Sequence, residues 1–153
     1  MKGKGKYIAV AVIALLLLGG WGFDAVRAKS FSVEVVSVTP DPGVADGQTP
    51  VTVQIQVTRN GTPCEGHILY GVSHNGGSFR AKRVPTDENG IAEFIYYPYL
   101  KSKLNQLTDV TLSFTDESNS VFVAVPARLQ TVLRMVEPEE GSGDKQTNEG
   151  MFG

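Results

Sequence analysis

The sequence is poor in the residues that build catalytic and metal centres. It has one cysteine, Cys64, and two histidines, His67 and His74. A single cysteine excludes an internal disulfide framework. The two histidines match no zinc spacing and read as polar surface or turn residues. Gly-x-Ser-x-Gly, His-Glu-x-x-His and a phosphate-cradling glycine loop are absent. With no nucleophile, base or metal set, an enzyme is not expected, nor a cofactor or a small-molecule substrate. A formal charge of −2 lacks the basic excess of a nucleic-acid binder. No internal repeat is present, so the chain reads as one module rather than an array.

What is present begins with a basic and then apolar segment, residues 1–28. Lys2, Lys4 and Lys6 precede an apolar run from Tyr7 to Leu18, extended by Gly19-Gly20-Trp21-Gly22-Phe23. Two readings stand. A cleaved signal peptide would use Val26-Arg27-Ala28 as its small-residue site, although Asp24 and Arg27 then lie between the apolar centre and the cut. An uncleaved signal anchor would use all of Tyr7–Phe23, about 17 residues and the lower end of the spanning range, with Trp21 and Phe23 at the outer interface. The anchor is favoured. It implies a single-pass chain in the cell membrane with a cytoplasmic N-terminus and the domain outside; the alternative is secretion. No cysteine directly follows the run, which excludes a lipoprotein anchor.

Residues 29–136 alternate between strand and turn signals. Phe31, Val33 and Val35 alternate, and Val36 and Val38 shift the phase, which predicts a kink near Val35-Val36. Val51, Val53, Ile55 and Val57 alternate with Thr52, Gln54, Gln56 and Thr58, the pattern of a strand wet on one side. Ile68, Tyr70 and Val72 read as the apolar set of the next strand, and Phe79 as a plug at the end of the core. Arg80 to Val84 reads as a short basic edge strand. Ala92, Phe94 and Tyr96 alternate, then Val110, Leu112 and Phe114, with Val121, Val123 and Val125 as the partner of the latter. Leu100, Leu104 or Leu107 would pack beneath the loop from Pro98 to Thr108. Ala127 to Val136 fits both a helix and a strand; the all-β setting favours a strand. Asp46-Gly47, Asn60-Gly61 and Asp87-Glu88-Asn89-Gly90 are turn chemistry, and aspartate there bonds its own backbone without needing a calcium ion. Residues 137–153 read as a disordered acidic tail. About seven short strands with regular turn signals predict an antiparallel β-sandwich, preceded by one hydrophobic helix.

Three pieces occur in register: Asp46-Gly47 before the alternating strand, Asn60-Gly61-Thr62-Pro63 with Gly66, and Thr86-Asp87-Glu88-Asn89-Gly90 before Ala92. Together they resemble the bacterial Ig-like domains of the invasin and intimin type, over roughly Ser32 to Val125. The resemblance implies an Ig-like sandwich that serves as a spacer or adhesion module on bacterial surfaces. This chain carries one such module behind its apolar segment.

The function expected is that of a membrane-tethered, extracytoplasmic structural or protein-interaction subunit of a cell-envelope assembly. The alternative is a secreted or surface adhesion module for a host or matrix ligand. The surface picked out for a protein partner comprises Arg80, Lys82, Arg83, Lys101 and Lys103 with Tyr97 and Tyr99, since basic and tyrosine-rich surfaces favour contacts. Cys64 reads as a small, partly buried side chain beside Pro63.

Overall fold

A computed structural model describes residues 4–121 and 126–139. Helix α1 runs Lys4–Ala28. Its leucines, isoleucines and valines are exposed all round rather than buried in a core, and its length and hydropathy suit a signal or membrane-anchor segment. Ser30 closes its C-terminus, donating from N and Oγ to the Arg27 carbonyl.

The strands are β1 (Phe31–Thr39), β2 (Gly43–Val44), β3 (Val51–Arg59), β4 (Thr62–Pro63), β5 (Ile68–Ser73), β6 (Ser78–Phe79), β7 (Arg83–Pro85), β8 (Ile91–Tyr97), β9 (Val110–Asp116), β10 (Arg128–Leu133) and β11 (Met135–Val136). The first sheet has the order β1-β3-β8-β6, with β4 paired to β3; the second has the order β10-β9-β5-β7. All pairs within them are antiparallel. The sheets face each other across one core, where Phe94 of the first meets Phe114 of the second at 4.9 Å. This strand order is that of an Ig-like sandwich. After β5 the chain touches the edge of the first sheet through β6, then returns to the second through β7.

Alternation decides most of the core. Val51, Val53, Ile55 and Val57 are buried, as are Ala92, Phe94, Tyr96, Val110, Leu112, Phe114 and the plug Phe79. The register of β1 against β3 shifts between Val35 and Ser37, a bulge that turns Val36 outward. Ala127 to Val136 holds strands β10 and β11, not a helix. At Asn60-Gly61 both φ angles are positive, 50° and 81°, the requirement of a type I′ hairpin turn.

Several expectations are corrected. Strand β5 buries Leu69 and Gly71 and turns Ile68, Tyr70 and Val72 outward. The reason is crowding: a Cβ on Gly71 would stand 2.9 Å from Phe94 Cε1 and 3.2 Å from Phe79 Cε2. Only glycine fits beneath those rings, so the larger side chains take the other face. The neighbours of β9 are β5 and β10 rather than a Val121–Val125 strand; Val121 is exposed, and Val123 and Val125 lie outside the described residues. Only Leu107 packs under its loop; Leu100 and Leu104 are exposed. Of the expected acidic tail, residues 140–153 lie outside the described residues.

The sandwich has two ends. The end nearest α1 carries Phe31, the Asn60-Gly61 turn, residues 64–67, 86–90 and 116–121. The opposite end carries residues 40–50, 74–77 and 98–109.

The Gly71 geometry gives a test. Gly71→Ala should destabilise the domain by about 1–3 kcal/mol through overpacking, read as a lower urea midpoint with an unchanged slope. An unaltered midpoint would contradict the packing described.

Candidate interaction surfaces and the helix–sandwich joint

The last turn of α1 is built into the domain. The Asp24 side chain, only 1% exposed, accepts a hydrogen bond from the Val121 N–H at 3.0 Å. Arg27 and Arg59 lie over the Phe31 ring at 5.8 and 5.5 Å, and the Asn60 N–H donates to the Ser30 carbonyl. Aspartate at the end of an apolar helix is costly unless it is paired; here the 116–121 loop supplies the partner.

That loop is fixed from its other side. Asp116, fully buried, receives the Ser118 N–H at Oδ1 and lies 2.8 Å from His67 Nδ1 at Oδ2. Ser118 Oγ accepts the Ile68 N–H, and the Glu117 N–H donates to the Ile68 carbonyl. The His67 ring packs against Phe31 at 5.4 Å. A continuous series of contacts therefore joins β5, the loop and α1. In the sequence His67 looked like a surface residue and Asp116 like a turn residue; no spacing signal marks two residues that meet across strands.

Cys64 lies near this cluster. Burial pushes the Cys64 thiol up, and the Asp116 carboxylate adds to the push against a smaller opposing effect of Arg59. Its Sγ contacts the Thr62 carbonyl at 3.8 Å. Thr86 holds the segment, donating Oγ1 to the Cys64 carbonyl and accepting the His67 N–H. Among the described residues no three His, Cys, Asp or Glu side chains group as metal ligands.

Turn aspartates are occupied by their own turns. Asp87 Oδ1 accepts the N–H groups of Asn89 and Ile91. Asp46 accepts from the Gln48 and Thr49 N–H groups and from Thr49 Oγ1. Burial alone would raise the Asp46 carboxyl, but these bonds outweigh it and hold it below its usual range.

The residues picked out from the sequence for a partner do not form one patch. Arg83 sits on edge strand β7, makes a two-point ion pair with Glu117 at 2.8 and 3.0 Å, and stacks on Tyr70 at 4.8 Å. That pair holds Glu117 below the usual carboxylate range. Arg80 is not on this strand; its N–H bonds the Ile95 carbonyl of the first sheet. Lys82 is exposed between them. Lys101 and Lys103 belong to the far end, where Lys101 pairs with Glu137. Tyr97 is exposed at the end of β8, and Leu104 in the following loop is 100% exposed. Tyr99 is not a surface residue: it is 8% exposed, and its hydroxyl donates to the Thr108 carbonyl and accepts the Thr108 N–H, which closes the long loop over the core.

The raised Cys64 thiol has a measurable consequence. Alkylation by iodoacetamide at neutral pH should be slower than that of a free thiol and should accelerate as pH rises past the usual thiol range. Fast alkylation, independent of pH near neutrality, would contradict this environment.

No protein-family model matches the chain, and no curated protein does. Among solved structures, the D00-D0 domain of intimin is similar with a TM-score of 0.47 and 15% identity, covering 67% of this chain and 48% of that one. The chain thus spans about half of that fragment's length. A conjugative transposon lipoprotein from Bacteroides eggerthii gives 0.45 at 16% identity, over 68% of this chain and 96% of its own. A conjugate transposon protein from Bacteroides vulgatus gives 0.43 at 16% identity, over 68% and 83%. The similarity is one of fold, at low identity, and a shared fold assigns no function.

Proposed function

We propose that the chain is a membrane-tethered, extracytoplasmic, non-enzymatic Ig-like module that serves as a structural or protein-interaction subunit of a bacterial cell-envelope assembly. The observation that supports it most is the joint. The Asp24 carboxylate of α1 accepts the Val121 N–H of the domain and the Arg27 guanidinium lies over Phe31 of β1, while the apolar residues before them are exposed. Cleavage after Ala28 would remove the Asp24 acceptor of the Val121 N–H and the Arg27 cation over Phe31. Retained, the helix has an apolar stretch of about 17 residues before Asp24, or roughly 25 Å at 1.5 Å per residue. That suits a short span with Trp21 and Phe23 at the headgroups. The turn motifs shared with invasin- and intimin-type domains support a place on the outer side of a bacterial membrane.

The chain isolated from its native membranes should carry residues 1–28 in its intact mass, and it should stay with the membranes after a high-salt wash. A mature chain beginning after Ala28, recovered from the medium, would sink the tethered reading and favour secretion.

A further inference from the structure

We infer that the outer face of the second sheet is a docking surface for a protein that presents an apolar strip with a carboxylate placed to meet Arg128. This rests on the tethered-module reading and names the chemistry of the partner that such a module would take.

The face exists because of Gly71. With Leu69 and Gly71 turned inward, β5 shows Ile68, Tyr70 and Val72 outward. Register places Tyr70 beside Thr115 and Arg83, Thr115 beside Arg128, and Val72 beside Ser113, which pairs with Gln130. Val132 continues the β10 row and is 59% exposed. The apolar content of this face does not serve the core. On the first sheet β8 also turns Ile91, Ile95 and Tyr97 outward, but beside Glu93, and the middle strand β3 turns Thr52, Gln54, Gln56 and Thr58 outward, with its side-chain amides bonded to Ser37, Glu93 and the Asn89 carbonyl.

Charge selects the occupant. None of the outward positions on the four strands of the second sheet is Asp or Glu. Arg83 is neutralised by Glu117 and lies over the Tyr70 ring at 4.8 Å. Arg128 is exposed and makes no ion pair among the described residues. It borders a shallow depression of about 380 Å³ with His74, Ser113, Thr115 and Gln130, and His74 Nε2 is held by Ser113 Oγ at 2.8 Å. A second copy of the chain, brought face to face in a two-fold contact, would offer Arg128 neutral groups, another Arg128, or the Glu117 carboxylate already taken by Arg83. A partner with carboxylates supplies the missing charge, and its apolar strip covers Tyr70, Val72 and Val132. Tyrosine and arginine with depleted Asp and Glu is the composition of a protein interface.

The test places a photo-crosslinking residue at Val132 in the full chain, in native membranes, with Gln54 on the other sheet and Leu104 in the far loop for comparison. The expected result is an adduct from Val132 with a second protein whose linked peptide carries Asp or Glu, and no such adduct from Gln54. R128E should lower the yield about tenfold, the effect of roughly 1.4 kcal/mol in binding, while the thermal transition of the domain is retained; R128K should keep most of it. An adduct of twice the chain mass, an adduct with lipid or glycan, equal yields at Val132 and Gln54, or indifference to R128E would overturn the inference. An adduct from Leu104 alone would overturn it and leave the tethered module standing. Recovery of a processed chain from the medium would instead bring down the reading beneath it.

Discussion

Four aromatic rings in a restricted space dictate much of this molecule. Phe79 meets Phe94, Tyr96 and Phe114 at 5.3–5.6 Å, and Phe94 meets Phe114 at 4.9 Å. The tilted and edge-on angles suit aromatic packing. Such a cluster leaves room for no side chain at Gly71, and period-2 alternation carries the consequence along all of β5. One small residue under two of these rings, Phe94 and Phe79, thereby decides which way three other side chains face, and puts Ile68, Tyr70 and Val72 on the outer side of the second sheet. Core packing and surface character are set by a single steric constraint.

The second organising feature is electrostatic. A carboxylate at the end of an apolar helix and a buried carboxylate in the domain are each costly alone. Asp24 and Asp116 are both satisfied through the 116–121 loop, Asp24 by the Val121 N–H and Asp116 by the Ser118 N–H and His67. The loop gains its conformation from both sides, so it couples the domain to the helix. On the proposed tethered reading, a module held this way would present its sheets and far loops in a set direction relative to the membrane, which would favour docking by limiting the freedom lost on binding.

The alternating strands of β3, β8 and β9 were legible because period 2 matches a sheet with one wet face, and the turns were legible because Asn-Gly and Asp-x-x-Gly have local chemistry. The Val35-Val36 bulge was readable from its phase shift. The facing of β5 was not: Ile68, Tyr70 and Val72 look like a core set unless Phe94 and Phe79 are known to lie above Gly71, and that contact crosses between sheets. His67 with Asp116 and Asp24 with Val121 were invisible for the same reason, since their separations in the chain are 49 and 97 residues. Tyr99 misled because a tyrosine beside lysines in a loop reads as surface, whereas its hydroxyl is taken up by the Thr108 backbone.

The joint between α1 and the sandwich is the feature most directly open to test. Amide hydrogen exchange at Val121, measured on the full chain in lipid nanodiscs, reports whether α1 is docked on the sandwich. A slowly exchanging Val121 amide is expected in the wild-type chain and markedly faster exchange in Asp24→Ala, with the β3 and β9 amides unchanged. Equal exchange at Val121 in the two chains would contradict the docked helix and, with it, the fixed presentation of the domain.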